Sequence, residues 1–282
     1  MENLNVDKEK YCQDIAKQIR RDILEITYDL GGIGTHLGGS LSLAEIMAVL
    51  YGAVLNVSND TVRDENRDRL IFSKGHGALA LYSAMRHTGL ITEEELRTYK
   101  TDSTFLSAHP SMNLDRGIEF SSGSLGQGLS LAVGTCLGLQ RKKNKCSRVF
   151  VILGDGECDE GSIWEAAQSA IHFGCTNLMA IVDCNGLQYD GATEKVMSLG
   201  TFADKWRSFG WNVVEIDGHN VRQLLVALSK TYASPSVIIA HTVKGKGISY
   251  MENNPLWHNH SVNEKQYEQA LSELESGHVI EV

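Results

Sequence analysis

Residues 148–191 read RVFVILGDGECDEGSIWEAAQSAIHFGCTNLMAIVDCNGLQYDG, and this stretch leaves a folding chain few choices. RVFVIL is a short, β-branched and apolar run that stops abruptly at Gly154-Asp155-Gly156, the pattern of a fully buried parallel strand. Over 160–173, Ile163, Trp164, Ala167, Ala170 and Ile171 recur at helical spacing, and Gly174 stands where a helix stop is expected. A second buried run, 177–182, ends in Asp183-Cys184-Asn185-Gly186. Strand, helix and strand make one β-α-β unit, and such crossovers are right-handed. The two strands therefore lie parallel and close, with their carboxyl ends on one edge of the sheet. Asp155 and Asn185 occupy those ends, where open α/β sheets bind ligands. The expected fold class is α/β, with a central, mostly parallel sheet and helices on both faces.

One carboxylate and one neutral amide oxygen on stiff strand ends suit a hard divalent cation. Magnesium takes few protein ligands and completes its octahedron with water and phosphate oxygens; calcium or manganese would use the same donors. Asp155 brings one negative charge, Asn185 adds an oxygen without further repelling a phosphate, and the Leu187 carbonyl completes the set. Gly154, Gly156 and Gly186 let the backbone approach a diphosphate closely. Asp and Asn at strand ends also cap turns. The Asn-Gly about thirty residues after Gly-Asp-Gly, behind a second buried strand, favours the metal-diphosphate reading.

The remainder of the chain continues the α/β pattern. An amphipathic helix is predicted over 7–30, with Ile15, Ile19, Ile23 and Ile26 inward and Lys8, Lys17, Arg20, Arg21 and Glu25 outward. A glycine-rich loop around His36 then enters a helix over 43–55, a general anion-binding arrangement. A strand over 66–73 runs into Lys74-Gly75-His76-Gly77 and a helix over 78–86, with Arg86 and His87 expected at the surface. Thr92 and Glu95 have capping-box spacing for a helix over 92–100. His109 precedes Pro110, which holds it extended in a loop. Gly123-Ser124-Leu125-Gly126-Gln127-Gly128 leads into a helix over 129–141 whose small residues suggest tight burial. Beyond 191 come a helix over 201–209 anchored by Phe202, Trp206 and Phe209, a strand over 211–216, a helix over 221–232, a strand over 236–241 and a polar helix over 263–274. His219 reads as a structural turn residue, and Lys244 or Lys246 can face phosphate.

Three histidines, His36, His76 and His109, each stand beside a glycine- or proline-marked turn between regular elements. Histidine donates, accepts and shuttles protons near neutral pH, as chemistry beside an alcohol requires. The acidic balance, a formal net charge of −9, argues against a nucleic-acid surface. No apolar run approaches a membrane span, and MENLNVDKEKY is too polar for a signal peptide. Six cysteines without C-x-x-C spacing read as reduced thiols, so a cytoplasmic protein is expected. Length and composition fit one domain over 1–282.

GDG followed by about thirty residues and an Asn resembles the thiamine diphosphate fingerprint, in its transketolase version. The resemblance implies the thiamine diphosphate-binding fold, with Asp155, Asn185 and the Leu187 carbonyl holding the cation on the cofactor's diphosphate. It implies that Gly123, Ser124 and Leu125 meet the aminopyrimidine, Ser124 replacing the more frequent proline. His76, Gly154, Gly156 and Glu160 would contribute to the cofactor site, and Glu160 and Glu165 match acidic residues near the subunit interface. His36, His109 and His258 would hold substrate hydroxyls, with His260 the alternative to His258 and His76 near the cofactor's reactive end. THLGG stands where many relatives have GHPG, so that match rests on the histidine and glycines.

The resemblance covers the first domain of a transketolase. The pyrimidine-binding domain, with the glutamate that activates the cofactor, has no counterpart in these motifs. The chain thus resembles the N-terminal subunit of a split transketolase, completed by a separate C-terminal subunit in a heterotetramer, and acting on sugar substrates. The alternatives are a deoxyxylulose-phosphate synthase-like enzyme, a 2-oxoacid decarboxylase subunit, and a non-catalytic thiamine diphosphate-binding regulatory module. A Rossmann-type domain is disfavoured because no G-x-G-x-x-G turn follows a first strand.

Overall fold

The computed structural model describes residues 2–276; residue 1 and residues 277–282, the ends of the expected 1–282 domain, lie outside the described residues. Among the described residues there are seven strands, in chain order β1 Arg69–Phe72, β2 Val149–Gly154, β3 Leu178–Cys184, β4 Leu187–Gln188, β5 Gly191–Ala192, β6 Asn212–Asp217 and β7 Ser236–His241. Five form one sheet in the order β1-β2-β3-β7-β6, and every pairing in it is parallel. β4 and β5 form a separate antiparallel hairpin just beyond β3. β2 and β3 are buried along nearly their whole length, which their unbroken apolar sequences require.

Alternation along each strand divides the core in two. Phe150, Ile152, Met179, Ile181 and Ile238 face the helices Glu2–Asp29, Ala44–Val49, Ala78–His87 and Val221–Ser229. Val149, Val151, Leu153, Ala180, Val182 and Ile239 face Gly128–Arg141, Gly161–His172 and Phe202–Ser208. Helices therefore cover both faces, which leaves the strand ends as the natural place for a ligand. Trp206 is fully buried in the second layer, with Trp164, Phe202 and Phe209 packed around it. Among the described residues no helix is long and apolar enough to cross a membrane.

Several elements differ from the sequence pattern. The helix expected over 43–55 forms as Ala44–Val49 running directly into one π-wound turn, Leu50–Val54, and a separate short helix, Leu37–Leu41, precedes it. The capping box at Thr92 and Glu95 forms, yet the helix spans only Glu93–Leu96. The helix Gly128–Arg141 buries Leu129, Ala132, Val133, Cys136 and Leu139, but leaves Ser130, Gly134 and Gly138 exposed, so its small residues do not mark burial on all sides. The helix after His219 ends at Ser229.

Arg20, expected outside, is buried against Glu45. Arg86 and His87 are not free surface groups. They converge on buried Asp22, with the Arg86 Nη2 2.7 Å from Oδ1 and the His87 Nε2 3.2 Å from Oδ2. In both cases a buried carboxylate supplied by a sequence-distant element reverses the side-chain placement suggested by local polarity.

Candidate active site

The carboxyl edge of the sheet encloses a cavity of about 290 Å³. Gly154 pairs with Asp183 in the β2–β3 register, so Asp155 emerges one residue beyond β2, beside Asn185, which follows β3. Both line the cavity. The Asp155 carboxylate accepts hydrogen bonds from the Gly156 N–H at 2.9 Å and the Gly186 N–H at 2.6 Å. Burial, and then the neighbouring Asp183 charge, push Asp155 up to about 6. Asn185 accepts from the Leu187 N–H and donates to Asp183.

The Leu187 carbonyl turns toward the same cavity, where it accepts the Lys244 ammonium at 3.0 Å. This oxygen already receives a positive charge, beside the buried Asp155 carboxylate, whose pKa is raised by burial and by Asp183. Two anionic or amide oxygens and a carbonyl at one strand edge match the donor chemistry of a hard cation. The residues therefore fit a divalent cation.

Four histidines meet around this cavity. The His36 ring centroid lies 5.8 Å from that of His76, 5.5 Å from that of His109 and 5.5 Å from that of His258. His76 and His258 are 5.3 Å apart. They come from four segments: the start of Leu37–Leu41, the turn after β1, the loop before Pro110, and the turn after Pro255–Trp257. Paired bridges between Thr35 and His260 draw the last segment to the first. His258 lines the cavity; His260 is exposed, packs on Trp257 and bonds the Ser261 carbonyl.

Burial drives all four imidazoles toward the neutral form, helped by the Lys100, Lys244 and Lys74 charges. His36 falls to about 4 and His258 to about 3; His76 falls well below its ordinary value, and His109 is also lowered. At neutral pH the cavity therefore holds uncharged rings, each with one donor and one acceptor nitrogen. His36 Nδ1 is buried without a hydrogen-bond partner. Such an atom is costly unless a ligand completes it.

Gly123 and Leu125 line the cavity; Ser124 is exposed on the outer side of the same turn. Gly126, at φ +85°, allows the turn to close, since a Cβ there would approach the Glu160 Cβ to 2.7 Å. Glu160 and Glu165 are exposed and lie outside the cavity lining, on the first turns of Gly161–His172 and just before it. Within this chain, Glu160 thus supports the turn and does not reach into the cavity.

Three buried charged residues escaped the sequence reading. Lys74 bonds the Asp183 carboxylate and the Gly39 carbonyl. Asp183 also accepts from Ser42 at 2.6 Å and from Thr242. Although burial opposes it, Lys74 holds Asp183 below the usual carboxylate range. Glu157 ties two strand ends to the turn before helix Gly128–Arg141, accepting from Ser73, from the Gly126 N–H at 2.9 Å and from the Gly154 N–H at 3.0 Å. Lys74 inside SKGH and Asp183 two residues before Asn185 were the available signals; Glu157 gave none beyond its closeness to Asp155. Of the two lysines proposed to face phosphate, Lys244 is buried in the cavity wall, while Lys246 pairs with Glu252.

A parallel sheet with an oxygen donor set on adjacent strand ends, backed by neutral histidines, defines a cofactor-binding α/β protein. The family model described as "Transketolase, thiamine diphosphate binding domain" matches residues 14–276. The chain is 40% identical over 267 residues to a 6-deoxy-6-sulfo-D-fructose transketolase subunit from Clostridium sp. (strain MSTE9), covering 93% of this chain and 96% of that one. It is 38% identical over 262 residues to one of the subunits of apulose-4-phosphate transketolase from Phocaeicola vulgatus, covering 92% of each. The crystal structure of transketolase from Campylobacter jejuni superposes with a TM-score of 0.83 at 25% identity, over 95% of this chain and 43% of that one. The chain belongs to the transketolase family, as the part that binds thiamine diphosphate.

Proposed function

We propose that this chain is the thiamine diphosphate-binding subunit of a two-chain transketolase, active in ketol transfer only with a partner that supplies the pyrimidine-binding domain. One observation carries the reading: Asp155, Asn185 and the Leu187 carbonyl share one cavity wall with four neutral histidines. Relatives of the chain's own length are named as transketolase subunits, which supports a partner chain. A heterotetramer, a cytoplasmic location and a single domain over 1–282 are parts of the same proposal.

Asp155, Asn185 and Leu187 would hold a divalent cation, with magnesium the best match to their number and hardness and calcium or manganese as substitutes. Gly154 and Gly156 would let the diphosphate approach, Gly123 and Leu125 would flank the aminopyrimidine with Ser124 contributing through the backbone of the same turn, and Lys244 would offset diphosphate charge. When bound, thiamine diphosphate supplies the carbanion chemistry that breaks and makes the carbon–carbon bond. His36, His109 and His258 would orient the donor sugar's hydroxyls. Being neutral, each can give a proton to an oxygen that gains charge and take it back at once. His76 would border the cofactor's reactive end. Glu160 would act from the exposed side, at the contact with another subunit.

The two relatives are named for 6-deoxy-6-sulfo-D-fructose and for apulose-4-phosphate, each a sugar with an anionic group. A ketose with an anionic end is therefore the proposed donor, and an aldose the acceptor. Co-expression with the proposed pyrimidine-binding partner chain, followed by a screen of donor ketoses with magnesium and thiamine diphosphate, tests the reading. Ketol transfer by the pair and by neither chain alone is expected; transfer by this chain unaided, or a pair that binds cofactor but never turns over, refutes it.

A further inference from the structure

The segment Thr242-Val243-Lys244-Gly245-Lys246-Gly247 follows β7 and delivers Lys244 into the cavity wall. A lysine side chain is long and flexible, so its backbone must be fixed if the ammonium is to meet a defined place. Behind this segment lies a buried polar chain that the chemistry of the cavity does not use. Arg20, on Glu2–Asp29, makes a two-pronged ion pair with Glu45, Nη1 to Oε1 at 2.6 Å and Nη2 to Oε2 at 2.7 Å. Glu45 Oε2 lies 2.9 Å from His219 Nδ1. The two ends of this chain grip the segment. Arg20 Nε donates to the Lys246 carbonyl at 2.9 Å, and the Val243 N–H donates to His219 Nε2 at 2.8 Å.

The hydrogen-bond directions are fixed by chemistry. A ring nitrogen that accepts the Val243 N–H carries no proton, so His219 holds its proton on Nδ1 and donates it to Glu45. Glu45, opposed by burial but held by Arg20 and His219, is lowered to about 2 and is thus always the acceptor. One carboxylate therefore orients both groups that hold the backbone on either side of Lys244. The fit is tight elsewhere too. The Gly245 N–H donates to the Gly38 carbonyl at 3.1 Å, and a Cβ on Gly38 would come within 3.0 Å of the Lys244 Cγ.

We infer that Arg20, Glu45 and His219 form a positioning clamp, whose task is to set how far Lys244 reaches into the diphosphate side of the cavity. This rests on the proposed cofactor reading, in which Lys244 faces the diphosphate. Arg20 and Glu45 lie 25 positions apart, Glu45 and His219 lie 174 apart, and Arg20 reaches Lys246 across 226; none of the three lines the cavity, so any effect they have on it is indirect.

The test uses the chain with its partner subunit, titrated with magnesium and thiamine diphosphate and followed by tryptophan fluorescence. Lys244→Met should raise the half-saturating cofactor concentration roughly tenfold or more, and His219→Ala by several-fold, while kcat at saturating cofactor changes about twofold or less in His219→Ala. The double variant should bind no worse than Lys244→Met within about a factor of two, because the clamp has nothing left to position. His219→Gln, whose side-chain oxygen can reach the same N–H, should restore most of the affinity. Amide exchange at Val243, measured on the full chain without cofactor, should speed up in His219→Ala and slow again in His219→Gln. A fold defect alone would not give this coupling or this rescue. If Lys244→Met is impaired but His219→Ala is not, or if the two effects multiply, the clamp is overturned and the cofactor reading stands. If Lys244→Met binds cofactor like the wild type, the role of Lys244 falls and the clamp falls with it.

Discussion

The ends of β2 and β3 carry the same side chain to opposite effect. Asp183, at the end of β3, is fully buried and accepts from Lys74, Ser42, Thr242 and Asn185. Asp155, just past β2, accepts from two backbone amides, and among the described residues no lysine or arginine bonds it. The first is held below the usual carboxylate range, and the second is raised to about 6. Asp183 is committed to the fold, pinning helix Leu37–Leu41 and the Lys244 segment to the sheet. Asp155 keeps its charge for a partner from outside. Adjacent strand ends thus separate the carboxylate that builds the site from the carboxylate that serves it.

The largest effect should come from breaking the saturated member. Lys74→Met leaves Asp183 buried and unpaired, and should cost about 3–5 kcal/mol in urea unfolding; a loss below about 1 kcal/mol would show that Asp183 does not depend on Lys74. Asp155→Ala should instead leave the cofactor-free fold as stable as the wild type, or more so, since a poorly compensated buried charge is removed. Its retention of cofactor with magnesium should fall by about a hundredfold or more, because the loss of a ligand exceeds the effects seen for outer-shell partners. Normal retention in Asp155→Ala would remove it from the cation site.

His109→Ala, at the mouth of the cavity and half-exposed, should lower turnover by roughly ten- to a hundredfold with little change in melting temperature. An unchanged rate in the reconstituted enzyme would dismiss it from the site. The smallest effect concerns pH. His36 and His258 are lowered to about 4 and about 3, so between roughly pH 6.5 and pH 4 the unfolded chain binds more protons than the folded one. Their burial neutral therefore costs stability progressively as pH falls through this window and costs none above it. His36→Asn should flatten the pH dependence of the urea midpoint there; an identical slope would mean that His36 does not titrate as its burial requires.

The β-α-β unit was legible because it is local: continuous apolar runs, a helical period and glycine stops all lie within residues 148–191. The histidines were legible as types beside turns, and their meeting followed from the resemblance, since His36 and His258 are far apart in the chain. Lys74, Asp183, Glu157 and Arg20 were not legible. A charged residue reads as surface unless its partner is known, and each of these partners lies on another element. The helix expected over 43–55 was legible, but the π winding of its last turn, Leu50–Val54, was not.

By itself the sequence determined the parallel α/β sheet, the edge at which ligands bind and the residue types set on that edge, because strand length, periodicity and turn chemistry are encoded by neighbours. Only the tertiary structure decided which of two aspartates is neutralised, which of two histidines faces the cavity and which of two lysines enters its wall. Those choices depend on desolvation and on partners brought from distant segments, and neither quantity exists until the chain has closed on itself.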